Sequence, residues 1–195
     1  MIYQGKFNAG AKMTALKEGK GKKIVLAVCG SVAAIEAPKI VRELLRKGIN
    51  VECVMSAAAE KMINPYVLEW ASGAKVVTEI TGATEHVRLC GIDGEASLLL
   101  ICPATSNTIS KIANGIDDTT VTTFAATAIG AGIKVIIAPA MHYSMYQNPF
   151  VVENIKKLER NGITIIEPRF EEDKAKVASN EEIVAKVSRE LKSVK

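Results

Sequence analysis

His86 and His142 are the two histidines of this 195-residue chain, and each stands among groups that could share a reaction with it. Imidazole titrates near neutrality, so either ring could move a proton or hold an anion. His86 follows Thr84-Glu85 and precedes the alternating apolar residues Val87 and Leu89. Taken alone, a single histidine is more often a hydrogen-bonded structural residue than a catalyst. His142 lies in Pro139-Ala140-Met141-His142-Tyr143-Ser144-Met145, directly after the apolar run Val135–Ala138. A second run, Leu98–Cys102, is followed in the same way by Pro103-Ala104-Thr105-Ser106-Asn107-Thr108. Both runs are too apolar for exposed strands. A proline cannot donate to a sheet ladder, so each strand is expected to end there. Two strand ends dressed alike with small and hydroxyl residues predict one crevice at the carboxyl edge of a parallel sheet.

The elements that would place these residues alternate along the chain. Lys23–Cys29 reads as a buried strand, and a helix follows from about Ala34 to Lys47 with Pro38 in its first turn and Gly48 as its stop. Val51–Met55 is a second strand, and Ser56 is suited to cap a helix over Ala57–Ile63. A short helix is expected over Pro65–Ala71 and a short strand over Lys75–Thr78. Further helices are expected over Thr105–Asn114, Thr119–Ile129, Asn148–Asn161 and Glu181–Leu191, with strands at Leu98–Cys102, Lys134–Ala138 and Ile163–Ile166. This alternation predicts an α/β fold: a single-domain, doubly wound, Rossmann-like or flavodoxin-like three-layer sandwich about a parallel sheet. Residues 1–22 read as an N-terminal extension and residues 23–195 as the domain.

The bulk composition narrows the function classes. Hydrophobic residues make up 48% and charged residues 24%, ordinary for a globular protein. No apolar run approaches the roughly 18 residues of a membrane span, and no secretory signal is evident, so a cytoplasmic protein is expected. The basic excess is mild (25 against 21), the basic residues are dispersed apart from Lys20, Lys22 and Lys23, and aromatic residues are few. Nucleic acid is therefore not an expected partner. Cys29, Cys53, Cys90 and Cys102 lack metal-type spacing and read as buried free thiols.

Gly30-Ser31-Val32-Ala33 joins the first strand to the first helix, where a phosphate commonly meets a helix N-terminus. A dinucleotide fingerprint would need two more glycines, and no acidic residue follows the second strand, where Met55-Ser56-Ala57 stands. A mononucleotide phosphate fits better than NAD. A plain turn capped by Ser31 fits equally well.

Four segments together resemble the FMN-dependent flavoprotein decarboxylase family, which acts on cysteinyl substrates. They are Gly30–Ala34, Glu85–Leu89, Pro103–Gly115 and Pro139–Tyr146, and the resemblance covers about Lys22 to Ala178. It is strongest to the decarboxylase half of archaeal coenzyme A biosynthesis enzymes, which share the histidine after Pro-Ala-Met and a tail like Phe170–Ala178. The resemblance implies FMN, with Gly30, Ser31, Ala33 and Ser56 around its phosphate. It places Thr105, Ser106, Asn107 and Thr108 on ribityl and phosphate oxygens and Ala140 beside the ring. It makes His86 the base that takes the cysteinyl thiol proton, and it sets His142 where most members carry an asparagine that holds the substrate carboxylate, with Met145 nearby. A cationic His142 would bind carboxylate more strongly than asparagine.

Most members also have a flap cysteine that protonates the product, and no cysteine follows Cys102 here. Lys174 could supply that proton and Lys176 could hold the substrate phosphate, or both could simply decorate a surface loop. The implied reaction converts 4′-phospho-N-pantothenoylcysteine to 4′-phosphopantetheine. The implied assembly is a homotrimer or dodecamer with flavin between subunits, alongside a phosphopantothenoylcysteine synthetase. Alternatives on the same fold are a flavin prenyltransferase, an FMN electron carrier or pterin reductase, and a catalytically silent regulatory subunit.

Overall fold

The computed structural model describes residues 22–193. The expected N-terminal extension lies outside the described residues, apart from Lys22. Five parallel strands form the central sheet in the order β2-β1-β3-β4-β6: β1 (Lys23–Val28), β2 (Asn50–Met55), β3 (Leu98–Ala104), β4 (Lys134–Pro139) and β6 (Thr164–Ile165). Alternate residues of β1 serve two separate cores. Ile24, Leu26 and Val28 pack on one face with Ile40, Leu44, Leu68 and Val187. Val25, Ala27 and Cys29 pack on the other with Leu89, Ile109, Phe124 and Ile155. Burial on both faces is why these strands read as continuous apolar runs rather than alternating ones.

β4 ends at its proline, Pro139, as expected, but β3 does not end at Pro103. β3 continues through Pro103 to Ala104, with an irregular register between Ile101 and Ala104. Although Pro103 donates nothing, its carbonyl accepts from the Cys29 N–H at 3.2 Å. The expected strand Lys75–Thr78 reduces to a single bridge, Val77 against Val54. The first long helix is split into a 3-10 turn, Val32–Glu36, and the helix α1 (Ala37–Arg46), because Pro38 sits at the start of the α-helical part.

A small antiparallel sheet, absent from the sequence expectation, stands at the carboxyl edge. Its order is β5-β8-β7: β5 (Met141–His142), β8 (Lys174–Lys176) and β7 (Arg169–Glu171). The segment read as a possible surface loop is thus a hairpin, closed by Glu172 and Asp173 at φ 50° and 55°. Two central residues at positive φ match the twist a tight hairpin needs.

Candidate active site

The carboxyl edge of the sheet is stitched together by backbone hydrogen bonds. Ser56 N–H donates to Val28 O at 3.1 Å, Cys29 N–H to Pro103 O at 3.2 Å, and Ala140 N–H to Ala104 O at 2.9 Å. The loops after β2, β1, β3 and β4 are thereby held side by side. Each of the first three starts a helical segment with a hydroxyl cap. Ser31 Oγ accepts from Ala33 N–H at 3.4 Å, Ser56 Oγ from Ala59 N–H at 3.2 Å, and Thr105 Oγ1 from Thr108 N–H at 3.3 Å. A hydroxyl that accepts a capping bond still has its proton to donate, so Ser31 and Ser56 can each both cap a helix and donate to an anion. Thr105 and Thr108 pair their hydroxyls at 3.1 Å, Ser106 and Thr108 are buried, and Asn107 is exposed. Gly30 does not adopt positive φ. It is needed for space, since a Cβ there would lie 2.5 Å from Ala58 Cβ.

Beside this ledge opens a cleft of about 480 Å³ lined by Ser31, Val32, Ala33, Ala140, Met141 and His142. Arg169, Lys174, Ala175, Lys176 and Val177 complete the lining, with Lys174 and Ala175 paired to His142 and Met141 in the small sheet. The sequence-expected residues Ser31, Ala33, Ala140, His142, Lys174 and Lys176 therefore meet at one place. Gly30 and Ser56 adjoin it through the stitched edge. Met145 is exposed on the short helix α7 (Tyr143–Tyr146) and does not line the cleft.

His142 is the N-cap of α7. Its Nδ1 accepts from Ser144 N–H at 3.3 Å and lies 2.8 Å from Ser144 Oγ. With Nδ1 accepting, Nε2 is left as the ring's hydrogen-bond donor. Asn64 and Asn148 cap their helices with the same two-residue reach, through Oδ1 to Tyr66 N–H and Phe150 N–H, both at 3.0 Å. Histidine and asparagine are physically interchangeable in this geometry.

The hairpin supplies the cleft's charge. Hydrogen bonds from Lys176 to Glu171 (2.9 Å) and its contact with Glu172 (3.3 Å) raise the ammonium above its ordinary range and keep it cationic. Lys174 is less tied, 3.8 Å from Glu172. Arg169, which the sequence reading missed, donates from Nε to Val177 O at 3.2 Å. Phe170 packs edge-on between Tyr143 and Tyr146, at 5.7 and 5.4 Å, and docks the hairpin on α7.

His86 stands on the opposite layer, in the helix α4 (Glu85–Cys90), which packs against the helix α6 (Thr120–Gly130). Its ring meets Phe124 edge-on at 6.3 Å, and Nδ1 is buried with no partner among the described residues. All four cysteines are buried. Burial pushes the Cys29 thiol up to about 11, against the lowering contacts of Thr108 and Thr105, so it stays protonated near neutrality. Among the described residues, no three His, Cys, Asp or Glu side chains gather as a metal site, and no helix is long and apolar enough to cross a membrane.

The flavoprotein family model matches residues 12–192. The coenzyme A biosynthesis bifunctional protein CoaBC of Thermococcus kodakarensis is 60% identical over 172 residues, 88% of this chain and 42% of that protein. The chain thus spans less than half the length of that relative. The probable phosphopantothenoylcysteine decarboxylase of Streptococcus mutans is 34% identical over 153 residues, 76% of this chain and 83% of that protein. The crystal structure of the FMN-dependent cysteine decarboxylase SpaF superposes with a TM-score of 0.72 at 28% identity, covering 85% of this chain and 97% of that one.

Proposed function

The chain belongs to the flavoprotein family, and from that premise we propose that it binds FMN and decarboxylates 4′-phospho-N-pantothenoylcysteine to 4′-phosphopantetheine. The observation that carries this reading is the cleft itself. Small apolar side chains (Ala33, Ala140) line it where a flat ring would lie, hydroxyl caps adjoin it where a phosphate would be held, and the cations Arg169, Lys174 and Lys176 reach it from the hairpin. The residues present therefore fit FMN.

Bound FMN supplies reversible two-electron oxidation of the carbon that carries sulfur, which makes loss of the neighbouring carboxylate easy. The chain's own part is to bind, orient and move protons. Ser31, Ser56 and the Thr105–Thr108 segment hold the cofactor's oxygens. His86 takes the substrate thiol proton, and with Nδ1 buried, Nε2 is the atom left to meet it. His142 donates from Nε2 to the substrate carboxylate. Lys176, kept cationic by Glu171 and Glu172, holds the phosphate, while the looser Lys174 returns a proton to the product.

On one chain His86 belongs to the layer around Phe124, whereas Ala140 and Val177 of the cleft belong to the opposite layer. That separation supports a site shared between copies, as in a trimer or a dodecamer of trimers, acting with a phosphopantothenoylcysteine synthetase in the cytoplasm. His86→Asn tests the central role. It should retain FMN and lose about 10²–10⁴ in turnover. Near wild-type turnover would reduce His86 to a structural residue.

A further inference from the structure

Among the described residues no side chain or backbone group hydrogen-bonds Nδ1 of His86, so the position of the ring is inherited from α4. That helix has six residues, too few to be stable by itself. It begins at Thr84, a non-glycine residue at φ 49° with no side-chain capping bond. Glu85 reaches back to accept the Thr81 N–H at 3.0 Å, and Leu89 and Cys90 are buried beneath the helix. These contacts hold its first turn and its inner face, and leave its outer side to be fixed by something else.

Arg88 fixes it. Nη2 donates to Glu52 Oε2 at 2.8 Å, and Nη1 donates to Glu95 Oε1 at 3.0 Å. Lys23 Nζ closes the ring of charges on the same two carboxylates, 2.7 Å from Glu52 Oε1 and in contact with Glu95. Two cations and two carboxylates thus join the start of β1, the middle of β2, α4 and the connection that follows it. That connection folds back on the helix, with Glu95 N–H donating to Arg88 O at 3.0 Å and Ala96 N–H to Leu89 O at 2.9 Å. Glu52 lies on the same strand face as Val54 and is half-buried, so its pairing with Arg88 and Lys23 offsets the cost of that burial. Residues two apart on a helix point about 200° from each other. Arg88 therefore braces α4 from the side opposite the His86 ring.

We propose that Arg88 is a positioning residue for His86: its guanidinium, forked between Glu52 and Glu95, sets where the imidazole stands during proton transfer. The inference rests on the proposed role of His86. Lysine at this position would lose the planar fork, which donates to Glu52 and Glu95 from two separate nitrogens at fixed spacing.

The test uses the flavin-loaded protein carrying Arg88→Lys, with steady-state kinetics, flavin titration and imidazole NMR. The chain's two histidines make the His86 signal identifiable by its loss in His86→Asn. Arg88→Lys is expected to lower kcat about 10-fold to 100-fold at unchanged KM and flavin affinity, as for a catalytic group held slightly out of place. It should also shift or broaden the His86 signal and leave that of His142 in place. Millimolar guanidinium should restore part of the kcat lost by Arg88→Ala. Should these variants fail to fold, Glu95→Gln removes only the exposed arm of the fork and should move the His86 signal in the same direction. Wild-type kcat in Arg88→Lys, or a His86 signal unmoved in every folded variant, would overturn the proposal. If the wild-type protein shows no decarboxylation, the functional reading fails by itself, and the His86 signal alone decides the positioning claim.

Discussion

Replacing Gly30 by alanine probes the contact that holds the turn after β1 against Ala58. The added Cβ would stand 2.5 Å from Ala58 Cβ, 2.9 Å from its carbonyl carbon and 3.0 Å from its oxygen. Two of these three atoms are backbone and cannot swing aside. Relieving the overlap requires the loop or the helix α2 (Ala57–Glu60) to retreat by about 1 Å, towards the roughly 3.5–4.0 Å of ordinary carbon contact. Overpacking of this kind costs about 1–3 kcal/mol, or roughly 2–12 °C in Tm for a domain of this size. The shift would carry Ser56, the cap of α2, away from Ser31, so FMN affinity should fall with stability. Urea unfolding and flavin fluorescence titration measure both. Ala58→Gly removes the shortest contact and leaves the other two. Alone it should cost up to about 1 kcal/mol as a helical glycine, but combined with Gly30→Ala it should recover part of the loss, a coupling of about 0.5–3 kcal/mol. An unchanged urea midpoint and flavin affinity in Gly30→Ala, or strict additivity of the pair, would refute the steric argument.

Two further perturbations follow from the site and its supports. His142→Asn should keep both the α7 cap and activity, because asparagine accepts the Ser144 N–H and still donates. His142→Leu should lose both, and an unpaired substrate carboxylate costs about 1.5–3 kcal/mol, or about 10-fold to 150-fold in kcat/KM. Equal Michaelis constants for wild type and His142→Leu would place the carboxylate elsewhere. Burial pushes the Glu52 carboxyl up, but hydrogen bonds from Arg88 and Lys23 outweigh this and hold it below the usual carboxylate range. A depressed folded-state pKa contributes stability that is present above the unfolded value of about 4.3 and is lost as pH falls through the folded one. Stability measured by urea should therefore drop below about pH 4.3, and Glu52→Gln, weaker at neutral pH, should lose less of it on acidification.

The sheet and its edge were legible because their signals are local. Apolar runs such as Leu98–Cys102 can be buried only in the middle of a covered sheet, and Ser56 and Thr105 stand where a helix cap is needed. The end of β3 was misread because a proline removes a donor and keeps its acceptor, which Pro103 uses towards Cys29. The hairpin Arg169–Lys176 was hidden because its turn residues are Glu172 and Asp173, not the Asn-Gly or Asp-Gly that announces positive φ. Arg169 was missed with it, since only the pairing of β7 with β8 brings that side chain to the cleft. His86 could be placed in a motif, but α4 is too short for periodicity to reveal. Its bracing by Glu52 and Glu95 joins residues 36 and seven positions from Arg88, which no local pattern encodes.

The most direct test of the account is to load the protein with FMN, mix it with 4′-phospho-N-pantothenoylcysteine and follow substrate and flavin by mass spectrometry. The account predicts catalytic conversion of substrate to a product lighter by one carbon dioxide, with FMN recovered unmodified. A protein that takes up no flavin, that returns the substrate intact, or that yields a prenylated flavin from a prenyl phosphate would contradict it.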